Sequence, residues 1–153
     1  IKTLLFAEKL EINHQKVIIS GVEIEDKKVS SEKILIKALS PIVIYSTVTL
    51  DGNKRTIYHS PMDKIFNEHI KNNLIKKAKI LDGEVDNSEF EIKPIIDKKL
   101  KENYSYFKNI FIKGWSGYFI LKGNPRLLNI GLGCGLGSKN SQGFGCIKYI
   151  KDI

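Results

Sequence analysis

The sequence predicts an α+β fold: an antiparallel sheet carrying two helices on one face, in the ferredoxin-like βαββαβ order. Three observations predict it. Between residues 41 and 150, β-branched runs alternate with two stretches of helical spacing, in the order strand, helix, strand, strand, helix, strand. Each helix opens on a polar cap followed directly by proline, Ser60-Pro61 and Asn124-Pro125. The chain has 153 residues, 42% apolar and 27% charged, which suffices for a buried core without a disulfide framework.

Residues 1–38 read as the tail of a preceding ferredoxin-like domain, and a first residue of Ile1 rather than Met reads as a fragment of a longer chain. Ile1–Leu10 fits the end of a helix or of a strand. Residues 16–25 read as a strand pair or a bulged strand around Gly21, and 33–39 as a further strand. These pieces lack a partner set of their own.

Residues 39–153 read as the C-terminal ferredoxin-like domain. "PIVIYSTVTL" (41–50) is a strand, "DGN" (51–53) a turn, and 54–60 its hairpin partner. Ser60 caps the first helix, Pro61 takes its first position, and Asp63 completes a capping box. Met62, Phe66, Ile70, Leu74, Ala78 and Leu81 form one apolar stripe, with Lys64, Glu68, Lys71, Lys76 and Lys77 away from it. Asp82-Gly83 ends that helix.

Residues 87–96 give a short strand that Pro94 confines to an edge. "SYFKNIFIKG" (105–114) is a strand, residues 114–117 a turn, and "YFILKG" (118–123) the return strand. Trp115, in that turn, reads as a core-edge side chain, with base stacking as the alternative. The second helix follows Asn124-Pro125, with Leu127, Leu128, Ile130 and Leu132 on its apolar side until glycines stop it. "FGCIKYI" (144–150) is the last strand.

Charge sharpens the functional question. The net charge is +8. Residues 1–102 hold 18 basic and 16 acidic side chains, whereas 103–151 hold seven basic residues and no acid. Lys108, Lys113, Lys122, Arg126, Lys139, Lys148 and Lys151 therefore aim a field at a polyanion. Cys134 and Cys146 form no CxxC pair and have no histidine at ligand spacing, so they read as small buried thiols rather than zinc ligands. No apolar run approaches the ~18 residues of a membrane span, and a cytoplasmic location is expected.

Between the second helix and the last strand lies "GLGSKNSQGFG" (135–145). It is neither a dinucleotide fingerprint nor a P-loop, because its spacing is wrong and it follows a helix instead of preceding one. Gly135, Gly137, Gly143 and Gly145 permit positive φ and close backbone approach. Lys139 and the loop's own N–H groups are the means of binding an anion, and Ser138, Asn140, Ser141 and Gln142 add short hydrogen-bonding groups for phosphate, ribose or base. Leu136 and Phe144, each between two glycines, read as apolar pins. Arg126 and Lys122 extend the track.

Gly-Leu-Gly, five residues with Lys139 among them, then Gly-Phe-Gly, resembles the C-terminal glycine-rich loop of the RAMP superfamily. It is most similar to the CRISPR-associated endoribonucleases that process precursor CRISPR RNA. "LSPIVI" (39–44), residues 60–81 and residues 117–145 resemble the same family's second domain. The resemblance implies two tandem ferredoxin-like domains related to RRM folds. It also implies RNA held along the basic surface where they meet, and metal-independent cleavage to a 2′,3′-cyclic phosphate, with no cofactor. In that family the catalytic histidine lies near the first helix of the first domain, a region this chain lacks, so its catalytic residues stay unassigned. His14, His59 and His69 match no catalytic position, and Tyr45 and Tyr58 read as sheet residues.

The implied partner is precursor CRISPR RNA. Subunits of a CRISPR effector complex and a second copy of the chain stay open, and no membrane is expected. A non-catalytic RNA-binding RAMP subunit is the alternative function, and a ferredoxin-like small-molecule or regulatory domain a third.

Overall fold

The computed structural model describes residues 10–12, 14–21, 23, 28–83, 89–97, 100–107 and 110–153. Its elements are β1 (Leu10–Ile12), β2 (Gln15–Val17), β3 (Lys33–Ala38), β4 (Tyr45–Leu50), β5 (Asn53–Tyr58), α1 (Lys64–Asp82), β6 (Phe90–Pro94), β7 (Lys101–Phe107), β8 (Ile110–Ser116), β9 (Tyr118–Gly123), α2 (Pro125–Cys134), a 3-10 turn (Asn140–Gln142) and β10 (Ile147–Asp152). Four strands form the main sheet in the order β10-β3-β9-β6, every pair antiparallel. In chain order β3-α1-β6-β9-α2-β10, this is the ferredoxin-like arrangement.

The first strand of that unit differs from expectation. It is Lys33–Ala38, not residues 41–50. Lys33–Ala38 does not lack partners: β9 pairs along one edge and β10 along the other. Ile34, Leu35 and Ile36 are all buried, as a central strand requires. Upstream, residues 15–17 pair with 10–12, and Ile18–Gly21 form no strand. Residues 1–9, 22 and 24–25 lie outside the described residues, so part of the readings at 1–10 and 16–25 does too.

Residues 41–50 do two jobs. Ile42, Val43 and Ile44 are buried, and β4 then leaves the core as one arm of a hairpin with β5. Asp51 (φ 51°) and Gly52 (φ 76°) both take positive φ, the geometry a tight two-residue hairpin demands.

The expected strand 105–114 is two strands. β7 and β8 pair from Lys101↔Ser116 to Phe107↔Ile110, and Lys108 and Asn109 lie outside the described residues. Gly114–Ser116 continue β8 instead of turning. Gly114 is there for proximity: a Cβ would stand 2.9 Å from Pro41 Cβ and 2.9 Å from Val43 Cγ2, where β8 crosses residues 41–43. Ile42 and Trp115 exchange backbone bonds of 2.8 and 2.9 Å at that crossing.

The helices cover one face. Phe66, Ile70, Leu74 and Ala78 of α1 and Leu127, Leu128 and Ile130 of α2 meet Ile34, Ile36, Phe119 and Leu121 of the sheet. Each such buried leucine, isoleucine or phenylalanine contributes about 1.5–3 kcal/mol relative to exposure. Met62 and Leu81, expected on this stripe, are exposed. Met62 precedes the helix, and no core residue of α1 lies beyond Ala78.

Helix α1 starts at Lys64, with Asp63 as its N-cap. Asp63 Oδ2 accepts from Ser60 N at 2.7 Å, and Ser60 Oγ accepts from Met62 N at 3.2 Å. The polar box therefore closes the turn before the helix. Asn124 caps α2 as expected, accepting from Arg126 N. Pro94 ends β6, an edge strand. The last strand starts at Ile147, so residues 144–146 belong to the preceding loop.

Candidate nucleic-acid interface

Helix α2 delivers the chain into the glycine loop, and Gly135 (φ 77°) turns it out of the helix. Leu136 is fully buried in the core. Its amide donates to Gly145 O at 2.9 Å, closing the neck of the loop. Segment 41–43 grips both sides of that neck: Ser138 N donates to Val43 O at 2.8 Å, and Gly145 N to Pro41 O at 2.9 Å. So close an approach of backbones leaves no room for side chains. A Cβ would lie 2.0 Å from Leu136 O at Gly145 (φ 73°) and 2.6 Å from Val43 O at Gly137 (φ 74°).

Asn140 builds the inside of the loop. Its Nδ2 donates to Leu136 O (3.1 Å) and Phe144 O (2.9 Å), and its Oδ1 accepts from Lys77 Nζ at 2.8 Å. The Lys77 ammonium also donates to Gly135 O at 2.8 Å and Cys134 O at 3.4 Å. A cation thus sits on the last carbonyls of α2, where the helix dipole favours one. Burial pushes the Lys77 amine below its ordinary 10.5, partly opposed by the neighbouring Cys134 thiol. Sequence reading missed this residue. Patterning placed Lys77 away from the apolar stripe of α1, yet it is half-buried, and without it the loop's inner acceptors would be unmatched.

The outer side is polar and open. Ser141, Gln142 and Gly143 are exposed, and Ser138 and Lys139 are half-buried. Lys139 adopts the left-handed conformation (φ 62°), and its Nζ stands 5.4 Å from the centre of the Tyr45 ring. Gln142 N and Phe144 N bond to Lys139 O, and Gly143 N to Asn140 O, so these three amides serve the loop's own closure. The structure brings Gly135, Gly137, Gly143 and Gly145 together with Ser138, Lys139, Ser141 and Gln142 in one hydrogen-bonded turn. Asn140 is part of its scaffold rather than of its outer edge.

Lys122 and Arg126 are elsewhere. They flank the N-terminus of α2, whose ten residues separate them from the loop by about 15 Å of helix. Lys122 borders an open recess shared with Glu32, Glu68, Glu89 and Glu91. Lys113, counted as a free charge in the sequence, pairs with Glu102 at 2.7 Å.

His14 is exposed beside Glu11 at 3.5 Å. His59 is buried, with Nε2 2.8 Å from Ser46 Oγ, and its ring lies 5.7 Å from that of His69. Trp115 is held at the core edge, donating from Nε1 to His59 O at 3.2 Å. Tyr58 donates its hydroxyl to Phe111 O at 2.6 Å, and burial, with the Tyr45 hydroxyl adding, raises its pKa. Cys134 is half-buried, but Cys146, expected buried, is exposed at the end of the glycine loop. No group of three or more metal-ligating side chains occurs among the described residues. No helix among them is long and apolar enough to cross a membrane.

Known proteins resemble this chain in sequence and fold. The family described as CRISPR associated protein Cas6, C-terminal, matches residues 24–149. The chain is 29% identical over 123 residues to CRISPR-associated endoribonuclease Cas6 1 of Methanocaldococcus jannaschii, covering 77% of this chain and 46% of that protein. It is 36% identical over 110 residues to CRISPR-associated endoribonuclease Cas6 of Pyrococcus furiosus, covering 72% and 39%. The chain therefore spans less than half the length of these curated relatives. A solved CRISPR associated protein Cas6 superposes with a TM-score of 0.80 at 26% identity, over 97% of this chain and 60% of that one. A Cas6-related protein from Pyrococcus furiosus superposes with a TM-score of 0.86 at 20% identity, over 99% and 62%, a likeness of fold.

Proposed function

The chain belongs to the Cas6 family, as its C-terminal part, and on that premise we propose that it is the RNA-positioning portion of an endoribonuclease that processes precursor CRISPR RNA. One observation carries the reading. The glycine loop presents a polar outer edge with Lys139 in a fixed left-handed conformation, while Leu136, Asn140 and Lys77 hold its inner edge against the core. A rigid edge of this kind suits a ribose-phosphate backbone, since binding then orders little of the protein.

The reaction proposed is attack of a ribose 2′-hydroxyl on the adjacent phosphorus, giving a 2′,3′-cyclic phosphate and a 5′-hydroxyl product. It needs a base for the attacking hydroxyl, an acid for the leaving oxygen, and positive charge near the phosphate. Lys139 supplies the charge. The base and acid come from a preceding ferredoxin-like domain, for which the relatives' greater length leaves room. No metal takes part.

Lys139→Ala tests the reading. Affinity for repeat RNA should fall for all sequences alike, and the dependence of log affinity on log salt should flatten by about one unit. Salt-insensitive binding, or unchanged binding in the variant, overturns it. Cleavage by the longer protein should survive a chelator; its loss would refute the metal-free mechanism.

A further inference from the structure

The hairpins β4–β5 and β7–β8 carry a run of aromatic rings that the glycine loop does not account for. It starts at the loop, where Lys139 Nζ lies over Tyr45. The Tyr45 and Tyr58 ring centres are 6.0 Å apart, and Tyr58 to Phe111 is another 6.0 Å. Phe111 then meets Tyr104 at 5.6 Å and Tyr106 at 5.5 Å. Strand register explains the alignment: Tyr104 faces Lys113 and Tyr106 faces Phe111, all on one side of the β7–β8 pair. The other side carries Ile112 and Gly114 into the core.

This aromatic side is open. Tyr104 is 60% exposed, Tyr106 77% and Phe111 38%. Contiguous exposed rings of this sort mark a binding surface. Their charge setting says for what. Lys139 stands at one end, and Lys113 lies 5.9 Å from the Tyr104 ring and 5.3 Å from that of Trp115. Glu102, the acid beside them, is neutralised by Lys113 at 2.7 Å and accepts from the Tyr104 hydroxyl. From Asn103 to Lys151 the sequence has no acid. Rings beside Lys139, with the Lys113–Glu102 pair neutral, match unpaired nucleotides, whose bases stack while a phosphate meets that lysine.

We propose that Tyr104, Tyr106 and Phe111 form a stacking platform for unpaired RNA bases, continuous through Tyr58 and Tyr45 with the glycine loop. It rests on the RNA reading of that loop and adds a second contact of different chemistry. The platform selects single-stranded RNA, because bases already stacked in a duplex have no face to offer. A protein surface docking on the same rings would use them only as apolar area.

The test is fluorescence-anisotropy binding of this chain to a labelled single-stranded oligoadenylate and to a blunt RNA duplex of equal length. Tyr106→Ala should weaken single-strand binding about 5- to 100-fold and leave duplex binding within twofold. Tyr106→Phe should bind like the parent, and Tyr106→Leu like the alanine variant. Tyr104→Ala provides a parallel measurement, and both side chains are exposed enough for unfolding curves to match the parent's. Single-strand affinity within twofold in both alanine variants overturns the platform. So does equal loss on duplex, or rescue by leucine, which would mark an apolar docking site. If Lys139→Ala still weakens binding in that event, the loop reading stands without the platform. If Lys139→Ala is silent too, both fall.

Discussion

Lys77 shows how much one side chain outside the obvious motif governs the site. Its ammonium joins α1 to three acceptors: Asn140 Oδ1, Gly135 O and Cys134 O. Methionine would keep its apolar stem and remove every donor. We expect Lys77→Met to lower unfolding free energy by about 1–3 kcal/mol, since half-buried acceptors would go unmatched. Denaturant unfolding measures it, and an unchanged midpoint would show that the clamp is dispensable. The amine also has a testable titration. Burial lowers its pKa from 10.5, so the folded protein gives up this proton at a lower pH than the unfolded chain does. Between the two values the unfolded state binds more protons, and this group's contribution to stability rises with pH. Carbon NMR at Lys77 Cε should report a midpoint below 10.5; one at or above it contradicts the burial argument.

At the scale of the element, the glycine loop is a knot of backbone contacts, and its four glycines are not equivalent. Gly143 (φ 88°) faces open space, so alanine there meets only its own backbone strain. Alanine at Gly145 adds a collision with Leu136 O at 2.0 Å. Gly143→Ala should cost about 1 kcal/mol and leave RNA affinity nearly unchanged. Gly145→Ala should pull the neck apart and abolish the Lys139-dependent part of binding. Equal effects of the two, in unfolding and in RNA titrations, would mean that the neck is not what shapes the loop. The sequence showed these glycines, the pin Leu136 and the polar tip plainly, because spacing encodes them. It hid the division of labour within the tip. Asn140 and Ser141 are both short and polar, but Asn140 turns inward, to Leu136 O and Phe144 O within the loop and to Lys77, 63 positions away in the chain. It also hid the β7–β8 hairpin, because residues 105–114 contain no glycine or proline before Gly114 to mark a reversal. The aromatic face went unseen with it.

Across the whole molecule, local pattern and long-range pairing divide what is legible. Two capped helices and an edge strand marked by Pro94 fix the class of fold. The identity of the first strand does not follow from them. "KILIKA" and "PIVIYSTVTL" are equally β-prone, and only pairing with residues 118–122 and 147–152 makes the former central. That pairing also decides what the chain does alone. Its hydrophobic core draws on both helices and all four strands of the sheet, so the 153 residues should fold and present the loop by themselves. Cleavage is another matter. A general base must come within about 2.6–3.2 Å of the hydroxyl it deprotonates. Around the loop's outer edge stand Lys139, Ser138, Ser141, Gln142 and Tyr45, with no histidine or carboxylate among them. His59 is 9% exposed, with its Nε2 2.8 Å from Ser46 Oγ. The purified chain should therefore bind repeat RNA with a salt-dependent affinity and leave it intact. Cleavage should appear once the preceding domain proposed here is present. Gel analysis of end-labelled repeat RNA decides: products from the 153-residue chain alone would place the base within it, with His59→Ala the next variant to make.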